Sequence, residues 1–180
     1  MQDFAHVKSD DNFAPTPTDE TTRILEAFAV HKKYKMRTAD VSSAFLHADE
    51  EDRIIVRPPE EWRREHPGKF WLLKKALYGR RTATKRWNKK LTSVLESIGV
   101  MSCDAQPSLF YCKETDVAVE VHVDDFDTAG PDEAVEELVR KLQQIFLMKV
   151  GEPLGPGCSS EFLGRRKVLT EEGLHTAMMC

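Results

Sequence analysis

A chain of 180 residues with 41% hydrophobic and 31% charged side chains is long enough for one domain with a real core, which excludes a fibre or a disordered tail. It has no run of about eighteen apolar residues and no charged-then-apolar leader, so a membrane span and a secretory signal are not indicated and an intracellular location, cytoplasmic or nuclear, is expected. The net charge of −4 argues against a free-standing nucleic-acid binder, because phosphate affinity comes mainly from Lys and Arg. Charge is unevenly spread, however. Arg80, Arg81, Lys85, Arg86, Lys89 and Lys90 cluster, while acids gather at Asp49 to Asp52 and Asp132 to Glu137. That basic cluster reads either as a nucleic-acid surface or as a solvated helix face. Cys103, Cys112, Cys158 and Cys180 lack paired metal-ligand spacing, so reduced thiols packed as small apolar groups are expected, without zinc.

Residues up to Pro17 are polar and proline-punctuated, a flexible N-terminal end. Thr18 is placed to cap a helix with Ile24, Leu25 and Phe28 on one face, Asp19 and Glu20 in the first turn and Lys32 and Lys33 in the last. A strand is expected near Met36 to Val41, then a hairpin from Ile54 to Val56 and Phe70 to Leu73. Trp87, Leu91, Val94, Leu95 and Ile98 recur at helical spacing, which makes Trp87 core and not a base-stacking aromatic, and Gly99 ends that helix. Strands follow at Ser108 to Cys112 and Val117 to Val123. Gly130-Pro131 opens a helix with Val135, Leu138, Val139, Leu142 and Ile145 as its stripe, and a last strand runs from Phe162 to Leu169.

The chemistry-bearing feature is Asp124-Asp125, at the tip of a run in which Val117, Val119, Val121 and Val123 alternate with Ala118, Glu120 and His122. Such a run puts the valines on a core face and the acids on an open one. Acids at a hairpin tip are common, but with Asp40 upstream they form a set of hard oxygen donors suited to two Mg²⁺ ions in phosphoryl transfer. The strand carrying Asp40 and the strand Val117 to Val123 should therefore be sheet neighbours. Spacing alone makes Phe45 a core aromatic, His122 a half-exposed strand residue, and Lys149 an ordinary cation at a helix end.

Ordered segments resemble the reverse transcriptase domain of copia-type LTR retrotransposons from about Phe13 to about Gly164. Asn12 to Pro17 looks like that family's "TFAP" segment, Ala39 to Leu46 like "DVKTAFLNG", Ile55 to Pro59 like "VYVRPP", and Leu72 to Gly79 like "KLKKSLYG". Asp104 to Phe110 is similar to "ADPSLF", His122 to Asp125 stands where the family has "YVDD", and Glu161 to Gly164 looks like "FLG". The resemblance implies catalytic, metal-binding roles for Asp40, Asp124 and Asp125. It makes Phe45 the aromatic that screens the sugar 2′ position and Gly79 the nucleotide-pocket glycine, and Arg81 joins them as a substrate-binding residue. Mg²⁺ or Mn²⁺, dNTP and an RNA or DNA template-primer are the implied cofactor and partners, with the rest of a retrotransposon polyprotein. Departures are His122 for the family's tyrosine, an altered segment after Gly79, and no match to the basic fingers, thumb or RNase H segments. They favour a second reading, a catalytically silent remnant persisting as a folded or nucleic-acid-binding domain.

The predicted elements reduce to β-α-β-β-α-β, an α+β, ferredoxin-like arrangement that is also the polymerase palm, here with partial fingers and the thumb missing. The organisation read from the sequence is a flexible end over 1–17, a palm-centred reverse transcriptase domain over 18–170, and a C-terminal end over 171–180.

Overall fold

The computed structural model describes residues 15–155, 157–170 and 173–178. Asn12, Phe13 and Ala14 of the first matching segment, and most of the expected N-terminal end, lie outside those residues, as do Pro156 and Cys180.

Helix α1 spans Asp19–Lys32. It begins where Thr18 and Thr21 each accept the other's backbone N–H through their hydroxyls, and it stops at Lys33, whose φ of 59° is left-handed. Its buried side chains are Thr21, Thr22, Leu25 and Ala29; Ile24, expected in the apolar stripe, is 51% exposed. Strand β1 is Lys35–Val41, followed by a 3-10 turn at Ala44–His47. A small excursion holds β2 (Ile55–Val56), helix α2 (Glu60–Glu65) and β3 (Trp71–Leu72), with β2 paired to β3 as expected. Helix α3 covers Ala83–Ser97, and Gly99 closes it at a φ of 86°. Then come β4 (Met101–Cys103), β5 (Gln106–Cys112), β6 (Val117–His122), β7 (Asp125–Gly130), helix α4 (Asp132–Gln143) and β8 (Met148–Val150). The described chain ends with β9 (Ser159–Phe162), β10 (Arg165–Thr170) and β11 (Gly173–Met178).

These elements form a mixed α and β domain with antiparallel sheets. The main sheet runs β4-β5-β6-β7-β1-β8. One face carries α3 and α4, whose Trp87, Leu91, Leu95, Leu138 and Leu142 pack with Val117, Val119, Val121 and Phe126. The other face is covered by α1 and the smaller sheet β11-β10-β9, meeting at Leu25, Met36, Ala118, Ala129, Leu154 and Leu169. The alternation of the β6 valines is thus real, but the opposite parity is not open along its length, since Ala118 and Glu120 are buried too.

Several expectations are corrected. β7 lies between β1 and β6, which are therefore not neighbours. Its sequence, Asp-Phe-Asp-Thr-Ala-Gly, has no apolar alternation because the residues facing α1 are acidic or small. β6 ends at His122, and Val123 turns away with a φ of 54°. Helix α4 stops at Gln143, so Ile145 is exposed and Phe146 fills the core instead. Lys149 stands on a strand, not at a helix end. The expected strand from Phe162 to Leu169 is split by a tight turn at Leu163 and Gly164, both at positive φ (49° and 71°), which reverses β9 into β10. Of the described cysteines only Cys112 is buried; Cys103 and Cys158 are exposed.

Candidate functional site

The sheet sets four polar side chains in one row. His122 pairs with Asp125, Asp125 with Asp40, and Asp40 with Lys149. Directly opposed residues of antiparallel strands project to the same face, so this row lies on the side of α1, beyond the part that α1 covers. Asp124 sits in the turn that joins β6 to β7, and its carbonyl accepts the Val41 N–H at 2.8 Å. Asp40, Asp124 and Asp125 are consequently brought to one edge. Burial, then the charges of Asp124 and Asp40, push the Asp125 carboxyl above the usual carboxylate range, while His122 pulls it back. A cleft of about 330 Å³ opens beside the row, with Thr38, Asp40, Asp125, Lys149 and Glu161 among its walls. Among the described residues no three His, Cys, Asp or Glu side chains are already gathered closely enough to grip a metal.

The other expected site residues lie apart from this row in their contacts. Phe45 rides on the 3-10 turn, partly buried against the core, with its ring centroid 4.5 Å from that of Tyr78. Gly79 adopts a φ of 86° with open space where a Cβ would stand, so backbone conformation and not crowding demands glycine. Arg81 is exposed and makes no ion pair among the described residues. No hydrogen bond or ion pair among the described residues joins Phe45, Gly79 or Arg81 to the three aspartates.

The basic cluster is largely neutralised from within. Arg80 reaches Glu50 at 3.1 Å; Arg86 reaches Glu50 at 3.0 Å and Asp52 at 2.7 Å; Lys89 reaches Glu51 at 3.0 Å. The acidic segment that was distant in sequence covers this part of the helix.

Behind the first row lies a second one that sequence reasoning missed. Glu120 opposes Asp127, which opposes Thr38. Glu120, Asp127 and Lys167 are wholly buried. The Lys167 ammonium from β10 bonds Asp127 and lies 3.3 Å from Glu26 of α1, while Thr22 donates to Glu120 at 3.1 Å. Burial raises the acid range of Asp127, and burial with the neighbouring acids pushes Glu120 up to about 7. The available signal was an acid at Asp127, two positions after Asp125 and so on the same face of a buried strand.

Fold and site together define a mixed α and β domain whose antiparallel sheet gathers aspartates at one edge. Over residues 1–175 the sequence matches the family described as Reverse transcriptase (RNA-dependent DNA polymerase). The chain belongs to that family, and the relatives it matches are Pol polyproteins of copia-type transposons. It is 30% identical over 169 residues to the Retrovirus-related Pol polyprotein from transposon RE1 of Arabidopsis thaliana, covering 92% of this chain. The corresponding RE2 polyprotein is 28% identical over 169 residues, and that of transposon TNT 1-94 of Nicotiana tabacum 28% over 166 residues. The chain spans 11% of the RE1 and RE2 polyproteins and 12% of the TNT 1-94 polyprotein. No helix among the described residues is long and apolar enough to cross a membrane.

Proposed function

We propose that residues 18–170 are the palm-centred part of an intracellular retrotransposon reverse transcriptase, ferredoxin-like in its β1-α3-β6-β7-α4-β8 connectivity, with partial fingers and no thumb. Its reaction would extend a primer 3′-OH with dNTP on an RNA or DNA template. The observation that carries this reading is the register that opposes Asp40 to Asp125 with Asp124 in the adjoining turn. The donor set fits Mg²⁺ or Mn²⁺: all three are hard carboxylates, and beyond the burial that raises the Asp125 acid range, the charges of Asp124 and Asp40 add a repulsion that a bound cation would relieve. When bound, such ions activate the attacking oxygen and stabilise the leaving one.

The chain's own residues would supply position and charge. Asp40 and Asp124 would hold the ions and Asp125 complete the set, while Phe45, braced by Tyr78, would screen the sugar 2′ position. The left-handed backbone at Gly79 would leave room for the nucleotide, and the unpaired Arg81 would meet its phosphates. Membership of a longer polyprotein would provide the missing clamp on the triphosphate and duplex.

The test is a fusion that adds fingers and thumb from an active relative, compared with the same fusion carrying Asp40→Asn and Asp124→Asn. Template-dependent primer extension by the first and not the second is expected, and His122→Tyr should raise the rate. If the relative's own palm extends a primer in that frame and this chain does not, the silent-remnant reading stands. One observation already favours that second reading: Glu50, Glu51 and Asp52 occupy the cations that a nucleic acid would otherwise meet.

A further inference from the structure

The turn bearing Asp124 is strained and held from two sides. Val123, its first residue, has a φ of 54°, a conformation that is strained for a β-branched side chain. Something must over-determine it. The Val123 carbonyl accepts the indole N–H of Trp87 at 2.6 Å, and the next carbonyl, that of Asp124, accepts the Val41 N–H at 2.8 Å. Trp87 is itself closely packed: it is 1% exposed, its ring stands edge-on to Phe146 with centroids 5.0 Å apart, and α3 is anchored by Leu91 and Leu95. An indole N–H buried in a core needs an acceptor, and a strained turn needs a fixed donor; each meets the other's requirement.

We infer that Trp87 is a positioning residue for the acid-bearing turn, its indole N–H clamping the Val123 carbonyl so that Asp124 and Asp125 are presented toward Asp40. The ring fills the space beside Phe146, but that packing makes no use of the indole N–H. Only the N–H reaches the turn. The inference rests on the proposed carboxylate site, and its test separates the two.

Mn²⁺ binding to the full chain is measured by the loss of free-ion electron paramagnetic resonance signal for the wild type, Trp87→Phe, Val123→Gly and the double variant. Loss of one buried hydrogen bond predicts that Trp87→Phe weakens Mn²⁺ by on the order of tenfold. Glycine takes positive φ without strain, so the double variant should recover to within about threefold of Val123→Gly alone. Replacing Trp87 by its benzothiophene analogue keeps shape and removes the N–H; it should copy Trp87→Phe even if the phenylalanine variant folds poorly. Lowered melting temperature with unchanged Mn²⁺ affinity, or additive losses in the double variant, overturns the inference. If the wild type binds no Mn²⁺, the carboxylate reading fails, and the clamp is judged by hydrogen exchange at the Val41 amide. Protection lost in Trp87→Phe and regained in the double variant supports the clamp; protection unchanged by Trp87→Phe overturns it.

Discussion

Replacing Glu120 by glutamine tests whether the interior of the sheet is electrostatically tense. Glu120 is wholly buried between α1 and the small sheet, and the charged groups facing it are Asp127 on β7, Glu26 on α1 and Lys167 on β10. Burial and the two carboxylates outweigh the Thr22 hydrogen bond and the Lys167 charge, so the group is held protonated up to about 7, against 4.5 ordinarily. A raised acid favours folding while both states are protonated, and that contribution is lost as pH climbs through the folded value. With about 1.4 kcal/mol for each tenfold change in proton affinity, the loss between the two values is about 3 kcal/mol. Glutamine keeps the shape and the acceptor for Thr22 but never ionises. Glu120→Gln should therefore match the wild type at about pH 4 and exceed it by about 3 kcal/mol at about pH 8, in urea unfolding followed at both conditions. A difference that stays flat with pH, or a wild type that gains on the variant as pH rises, would refute the reasoning.

Other outcomes follow from the same structure. Mg²⁺ or Mn²⁺ at about millimolar concentration should raise the melting temperature of the wild type but not of the Asp40→Asn, Asp124→Asn double variant, and an equal rise in both would count against a carboxylate metal site. Lys167→Met leaves Asp127 buried without its cation and should cost about 3 to 5 kcal/mol in denaturant unfolding, with Asp127→Asn recovering part of the loss; strictly additive losses would show that the pair is not coupled. Gly130→Ala drives a Cβ to 2.8 Å from a Val117 methyl and 3.1 Å from its Cα, where backbone cannot give way, so a loss of about 1 to 3 kcal/mol is expected by the same assay, and a neutral result would mean that β6 and β7 are less tightly apposed.

Where one physical signal dominated, the sequence was legible. The stripes of α3 and α4 and the alternating valines of β6 each bury one face, and those elements lie where periodicity puts them. β7 was not legible because its face toward α1 is filled by Asp125, Asp127 and Ala129, so a central strand carries the composition of a loop. The meeting of Asp40 with Asp125 could be anticipated from the two acidic segments, but its cause could not: β7 supplies the neighbour to β1, where β6 had been expected. The Lys167 contact with Asp127 joins positions 40 residues apart, and nothing local in either segment announces it. Likewise Trp87 reads as core by spacing, and only the course of the turn at Val123 brings its N–H to a carbonyl.

The late arrival of Lys167 bears on how the protein is made. A ribosome releases Glu120, Asp127 and every strand of the six-stranded sheet before it releases β10. A nascent chain paused after β8 holds all the partners for that sheet, yet closing it under α1 would bury carboxylates with no cation among them. Closure should therefore be less favourable until the final hairpin emerges, and premature stops within it should yield chains that chaperones retain or proteases clear, even though the whole acid-bearing edge has already been translated.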